Sequence, residues 1–399
     1  MKKEFISCVT VIITIAILLF SLAACAGDAV TGSFPGSEMP TGEGAQPHEK
    51  DAQPQNGGEP GEGTESEAAG GRTELLEADA RWAEPKLEAL VREKFGNPGG
   101  IITQADLDSV WGIELFGESH IFFNADGGYQ MYKDNSRRSF DNHNKLYDNI
   151  VEDSEGHRTP DFKYTMGGEV YSRGSISSIS DFANFPNLMY LYVYYNDLKD
   201  IGGLSSLEQL IDLCLQESAI DDIAALAELG QLEKLKLNNN KIADVSPISN
   251  LIALRELDLT WNRIEEFSDL APLKNLDILL LGGNLIHNID EVKSFSQLTQ
   301  LYIYGLPVDD LSVLSGMASL ECLYIANLDV DSIDLAPISG LVNLENLWVW
   351  QDRAELLNFE VLAGLSKLRF LHITPNVNLT DDDLDWLRSN LPEDVYYVD

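Results

Sequence analysis

One column of leucines limits what this chain can fold into. Leu188, Leu210, Leu232, Leu254, Leu276, Leu298 and Leu320 stand 22 residues apart, and Leu344 and Leu368 follow at intervals of 24. A fixed period of this length marks a solenoid, in which each unit buries its apolar face only by stacking on the next. Three residues on runs a second column, Leu191, Leu213, Leu235, Leu257, Leu279, Leu301, Leu323, Leu347 and Leu371. Two further on is a third, Val193, Leu215, Leu237, Leu259, Leu281, Ile303, Ile325, Val349 and Ile373. The alternation of these two columns predicts a short strand per coil with one face inward. Three positions later stand Asn196, Ser218, Asn240, Asn262 and Asn284, polar side chains that can satisfy backbone groups as the chain turns out of the strand. Leu306, Leu328 and Asp352 interrupt that polar column, which predicts a distortion near the seventh coil.

The pattern LxxLxLxxNxL resembles the leucine-rich repeat signature. The other half of each coil reads D-I/V-x-x-L-x-x-L and is too short for a full α-helix; Pro247, Pro272 and Pro337 also oppose one. It predicts 3₁₀ turns and extended backbone. The expected fold is an α/β solenoid: a leucine-rich repeat horseshoe with a parallel concave sheet, convex 3₁₀ and extended segments, and an N-terminal helical cap. Segments such as ADVSPISNL, SDLAPLKNL and IDLAPISGL make residues 166–380 similar to the internalin family of Gram-positive surface proteins. That resemblance implies a curved, non-enzymatic platform that binds proteins through its concave face.

The flanks complete the domain plan. In residues 75–165, Pro85 suits the first turn of an amphipathic helix carrying Leu87, Leu90, Val91 and Phe95, with Gly96 placed to stop it. Thr103 and Asp106 then make a capping-box-like start before Leu107, Val110, Ile113 and Leu115. The segment from Pro85 to Leu115 is similar to the N-terminal cap of many bacterial repeat proteins. Residues 116–165 depart from the repeat and read as an insertion at the edge of the concave face. Over 381–399, Thr380 caps a short helix that begins with Asp381, Asp382 and Asp383, and Leu384, Trp386 and Leu387 can close the core.

Residues flanking and between the last two leucines of each coil are expected to point away from the core, onto the concave surface. There the candidate ligand-binding residues are Tyr190, Tyr192, Tyr194, Trp261, Tyr302, Tyr304, Tyr324, Trp348, Trp350 and His372. Exposed aromatics that no core requires mark binding surfaces, because they bury large area at little entropic cost. Strand propensity alone is the competing explanation. Tyr302, Tyr304, Tyr324, Trp348 and Trp350 lie on three adjacent coils and form the expected hot spot, with Tyr190 to Tyr194 as a second anchor. Lys234 and Lys236 form a small basic island, which reads either as a partner for a ligand carboxylate or as a solvated face.

The N-terminus carries an address. Lys2 and Lys3 precede an apolar stretch that ends in Leu22-Ala23-Ala24-Cys25. Residues 1–24 therefore read as an export signal, and the junction resembles a bacterial lipobox, which implies a lipid on Cys25 and an extracellular, membrane-anchored protein. An uncleaved anchor is the alternative reading. Residues 25–74 follow as a tether: positions 26–74 hold eleven Gly, five Pro and ten acidic residues, too polar to bury a core.

With 65 acidic against 27 basic residues the net charge is −38, which opposes nucleic acid as a partner. Cys214 and Cys322 lie five coils apart, beyond disulfide reach, and no metal or cofactor motif is present. Asp200, Asp222, Asp244 and Asp310 recur at repeat spacing and read as turn-forming residues rather than as a calcium ladder. The expected partner is a protein ligand. A cell-envelope glycan is the first alternative, and a hydrolase with its site in residues 116–165 the second.

Overall fold

The computed structural model describes residues 82–95, 102–117, 120–125, 144–152, 158–166, 169–171, 173–328, 330–351, 354–373, 379–391 and 395–398. The export signal, Cys25, the tether, Gly96, Asp352 and much of the 116–165 segment lie outside the described residues.

A helix at Pro85–Lys94 and a short one at Gln104–Asp108 lead into β1 (Val110–Phe116) and β2 (His120–Ala125). A separate three-stranded antiparallel sheet follows, of β3 (Asn144–Glu152), β4 (Arg158–Met166) and β5 (Glu169–Tyr171). The coils then contribute β6 (Tyr190–Tyr194), β7 (Asp212–Gln216), β8 (Lys234–Lys236), β9 (Glu256–Asp258), β10 (Ile278–Leu280), β11 (Gln300–Tyr304) and β12 (Cys322–Ala326). After β13 (Ser332–Asp334) come β14 (Asn346–Trp350), β15 (Glu355–Leu357), β16 (Phe370–Ile373), a helix at Asp381–Asn390 and β17 (Tyr396–Val398). Among the described residues the main sheet has 12 strands, in the order β17-β16-β14-β12-β11-β10-β9-β8-β7-β6-β1-β2. Only the β1–β2 pairing is antiparallel.

The three predicted columns form one continuous core, where Leu188, Leu191, Val193 and their counterparts coil by coil are buried. Each fully buried leucine contributes about 2 kcal/mol, an upper estimate for a compact unfolded reference. Phe182, Phe185, Phe267 and Phe295 widen the same core. Across the interior, 3₁₀ turns such as Gly202–Ser206, Ser246–Ile248 and Ala336–Gly340 close the coils, the last two with a proline, Pro247 and Pro337, as second residue that donates no hydrogen bond.

The asparagine column does what its position predicts. Asn262 Nδ2 donates to Leu237 O and Leu259 O at 3.0 Å each, while its Oδ1 accepts from Ile242 N–H at 3.0 Å. Asn240 and Asn284 repeat the arrangement one coil before and one coil after. The recurring aspartates bind locally: Asp200, Asp222, Asp244 and Asp310 each accept from the backbone N–H two residues on, at 2.8–3.0 Å.

Where Leu306 and Leu328 replace the asparagine, both are buried. The longer period beyond Leu320 becomes a second ribbon, β13 paired in parallel with β15. In the eighth coil the Gln351 amide, oriented so that both its atoms are satisfied, serves Leu328, donating to its O at 3.2 Å and accepting from its N–H at 3.0 Å.

The helix Pro85–Lys94 buries Leu87 and Val91 in the common core. The buried Asp181 carboxylate holds the helix from the first coil by accepting from Ala83 N–H at 2.8 Å and Glu84 N–H at 2.9 Å. Thr103 with Asp106 and Thr380 with Asp383 both form capping boxes. Leu387 is buried, with Leu384 and Trp386 packed beside it. Among the described residues no helix is long and apolar enough to cross a membrane.

Candidate functional site

Side chains that point away from the leucine core line up in columns set by the strand register. The central one runs Glu114, Tyr192, Cys214, Lys236, Asp258, Leu280, Tyr302, Tyr324, Trp348 and His372. This face divides into a polar half over β6 to β9 and an aromatic half over β10 to β16.

In the polar half Tyr192 and Tyr194 stack at 6.3 Å, and Tyr190 meets Trp111 edge-on at 5.7 Å. The Tyr192 hydroxyl donates to Asp212 Oδ2 at 2.8 Å. Lys236 Nζ lies 2.7 Å from Glu256 Oε1 and Lys234 Nζ 3.7 Å from Oε2, so both lysines of the basic island share the one Glu256 carboxylate within the sheet. Burial pushes the carboxyls of Asp212 and Asp258 above the ordinary range, with hydrogen bonds from Tyr192 and Thr260 respectively opposing it.

The aromatic half differs from expectation. Tyr302 and Tyr324 are 0%, Trp348 2%, Tyr304 4% and Trp350 6% exposed, so the proposed hot spot does not face solvent. These five side chains form a second hydrophobic cluster with Leu280, Cys322 and Ala326, on the opposite face of the sheet from the leucine core. Rings on adjacent strands are close enough to cover one another. Tyr302 stacks on Tyr324 at 6.1 Å, Tyr324 meets Trp348 at 6.1 Å, and Trp348 lies 4.8 Å from Phe370. Trp261 joins through Tyr304 at 5.9 Å, and His372 through Trp350 at 5.7 Å. Desolvation lowers the His372 pKa, so it is neutral at physiological pH. The cluster thus brings Trp261, Tyr302, Tyr304, Tyr324, Trp348, Trp350 and His372 together, whereas Tyr190, Tyr192 and Tyr194 remain a separate, half-buried group.

Three polar atoms in the cluster have no hydrogen-bond partner among the described residues: Tyr324 Oη, Trp348 Nε1 and Trp350 Nε1. An unpaired buried donor costs about 1–3 kcal/mol. Burial also raises the pKa of the Tyr324 and Tyr304 hydroxyls, which keeps both protonated. The cluster therefore brings stacked rings and unpaired hydrogen-bond donors together in one closed packing on the concave side of the sheet. Cys214 and Cys322 are buried and form no disulfide, as their separation predicts. Among the described residues no three His, Cys, Asp or Glu side chains converge as metal ligands.

A left-handed column escaped the sequence reading. Gly117, Tyr195, Glu217, Asn239, Trp261, Gly283, Gly305 and Asn327 all adopt positive φ, and from Tyr195 onward they recur every 22 residues. The glycines at 283 and 305 and the asparagines at 239 and 327 were its sequence signal. Gly282 and Gly283 also leave room on the concave face, where a side chain would collide with the rings of Tyr304 and Trp261 respectively.

Residues 231–272 match the family model for two copies of the leucine-rich repeat. The chain folds as a leucine-rich repeat solenoid. No curated protein matches it. Among solved structures, an internalin of Listeria monocytogenes is similar at 21% identity and a TM-score of 0.48, covering 79% of this chain and 95% of its own. A leucine-rich repeat protein of Leptospira interrogans aligns at 21% identity and a TM-score of 0.47, over 57% of this chain and 66% of its own. A plant peptide hormone receptor, solved with its peptide, aligns at 18% identity and a TM-score of 0.42, over 63% and 40%.

Proposed function

We propose that the chain is a lipid-anchored extracellular binding protein that recognises a protein ligand non-covalently through the aromatic half of its concave face. One observation carries this reading: the leucine core alone closes the solenoid, yet the opposite face of the sheet holds a second cluster of tyrosines and tryptophans with three unpaired donors. A ligand offering acceptors to Tyr324, Trp348 and Trp350 removes their cost while gaining large aromatic contact area, the composition of an interface hot spot. Because the rings are closed over one another, binding requires neighbouring side chains to part. The N-terminal stretch ending at Cys25 supports lipid anchoring, and the acidic Gly/Pro-rich tether supports display away from the membrane.

The test compares the full chain with a Tyr302→Ala, Trp348→Ala, Trp350→Ala variant as baits for envelope and culture extracts. The variant must first melt cooperatively. A protein retained by the parent and lost by the folded variant supports the reading; equal retention overturns it, and a glycan lost in the same way transfers the site to the alternative ligand class. Incorporation of a fatty-acid label that disappears in Cys25→Ala tests the anchor.

A further inference from the structure

The outer edge of β13 in the β13–β15 ribbon is open, and it faces a groove. Glu355 N–H donates to Asp331 O at 2.8 Å and Leu335 N–H to Leu357 O at 3.0 Å. Successive residues of a strand direct their backbone groups to opposite sides. Asp331, Ile333 and Leu335 therefore serve β15, while Ser332 and Asp334 direct N–H and C=O the other way, where no backbone partner exists among the described residues.

Among the described residues the sixth coil adds no strand to this edge. Lys241 N–H donates to Ile220 O, Arg263 N–H to Ile242 O and Leu285 N–H to Ile264 O, each at 2.8–2.9 Å, zipping coil to coil. The next position in that series, Pro307, has no N–H, so the sixth coil lacks the equivalent bond back to the fifth. Between the sixth coil and β13 lies a groove of about 340 Å³ lined by Val308, Asp309, Asp310, Ser332, Ile333 and Asp334 among others. That volume is near the lower end of the about 300–1,000 Å³ typical of ligand sites, enough for a short segment rather than a domain.

We infer that this groove binds a short, extended, lysine- or arginine-bearing peptide segment, which adds as a strand to the free edge of β13. The unpaired N–H and C=O groups of Ser332 and Asp334 call for an extended backbone. Val308 and Ile333 are turned into the leucine core, so selection falls to charge: the exposed Asp309, with the carboxylates of Asp310 and Asp334 that also hold their own turns, favours a positively charged segment. This site lies apart from the aromatic face and does not depend on it.

The experiment is fluorescence anisotropy of the full chain with a labelled pentapeptide of alternating lysine and valine, beside its glutamate counterpart and a version N-methylated at alternate amides. Expected is saturable binding of the lysine peptide, at least tenfold weaker for each of the other two. Ser332→Pro removes an edge N–H that no strand uses and should weaken binding at least tenfold with an unchanged melting temperature. Asp309→Lys, at an exposed position, should weaken it severalfold and reduce its salt dependence. Absence of binding, or binding indifferent to N-methylation and to Ser332→Pro, overturns the proposal. Self-association of the chain that is lost in Ser332→Pro, without peptide binding, would make a second copy the occupant and also overturns it.

Discussion

A methyl group on Gly283 would come within 2.6 Å of the indole Cε3 of Trp261, one repeat earlier. Both residues belong to the left-handed column, with φ of 69° and 55°. The glycine thus serves twice: it takes a backbone conformation that costs other residues about 1–2 kcal/mol, and it leaves the indole somewhere to lie. Gly283→Ala should lose more than about 2 kcal/mol in urea unfolding and shift tryptophan emission to the red. A variant as stable as the parent would show that the indole is not held there.

The unpaired donors predict an unusual order of substitutions. Trp348→Phe and Trp350→Phe keep a ring in the cluster and delete an N–H without a partner, so the lost volume is offset by about 1–3 kcal/mol of relieved desolvation. Stability in denaturant should stay within about 1 kcal/mol of the parent or rise. Trp348→Ala should cost about 3–5 kcal/mol.

Removing one rung of the polar ladder should be expensive. Asn262→Ala strands Ile242 N–H and takes one of two side-chain donors from Leu237 O and from Leu259 O, which keep Asn240 and Asn284 respectively. At about 1–3 kcal/mol for the one buried unsatisfied group and about 1 kcal/mol for each of the two lost carbonyl bonds, a loss of about 3–5 kcal/mol is expected. Hydrogen exchange should rise first in the coils on either side of Asn262.

The turn aspartates set an acid limit. Side-chain and backbone hydrogen bonds from Ser246 hold the Asp244 pKa below its ordinary value, and Asp310 is lowered by Ser312 in the same way. A carboxylate whose folded pKa is depressed adds stability above its unfolded pKa of about 3.9, and that stability is lost as pH falls through the folded value. Asn288 already fills the same turn position, accepting from Asp290 N–H at 2.6 Å. Asp244→Asn should therefore keep the neutral-pH melting temperature and flatten its decline below about pH 4, as followed by circular dichroism.

Most of the fold was legible because it depends on side-chain identity repeated at fixed spacing. The leucine columns, the asparagine rungs, the proline-bearing turns, the capping box at Thr103 and the helix cap at Thr380 each leave a residue-type signature. The state of the concave face did not. Alternation told which side of the strand Tyr302, Tyr324 and Trp348 occupy, but their burial depends on rings one coil apart meeting, a relation between coils that reading within a coil omits. The left-handed column was obscured because Tyr195, Glu217 and Trp261 occupy positions where glycine or asparagine is the usual sign. The β13–β15 ribbon was foreshadowed only as a distortion, since a change of period from 22 to 24 marks extra length without its shape.

The asparagine ladder has a consequence for how such a chain can change over generations. Every rung from Asn240 to Asn284 binds carbonyls in its own coil and in the one before, through the same atoms each time. A gene segment encoding one whole 22-residue unit could be duplicated or lost there, and the remaining rungs would rejoin in register. Beyond Leu306 that interchangeability ends. The coils there are individually fitted to their neighbours, so the N-terminal half of the solenoid can vary in length while the half carrying the aromatic cluster and the open strand edge is fixed.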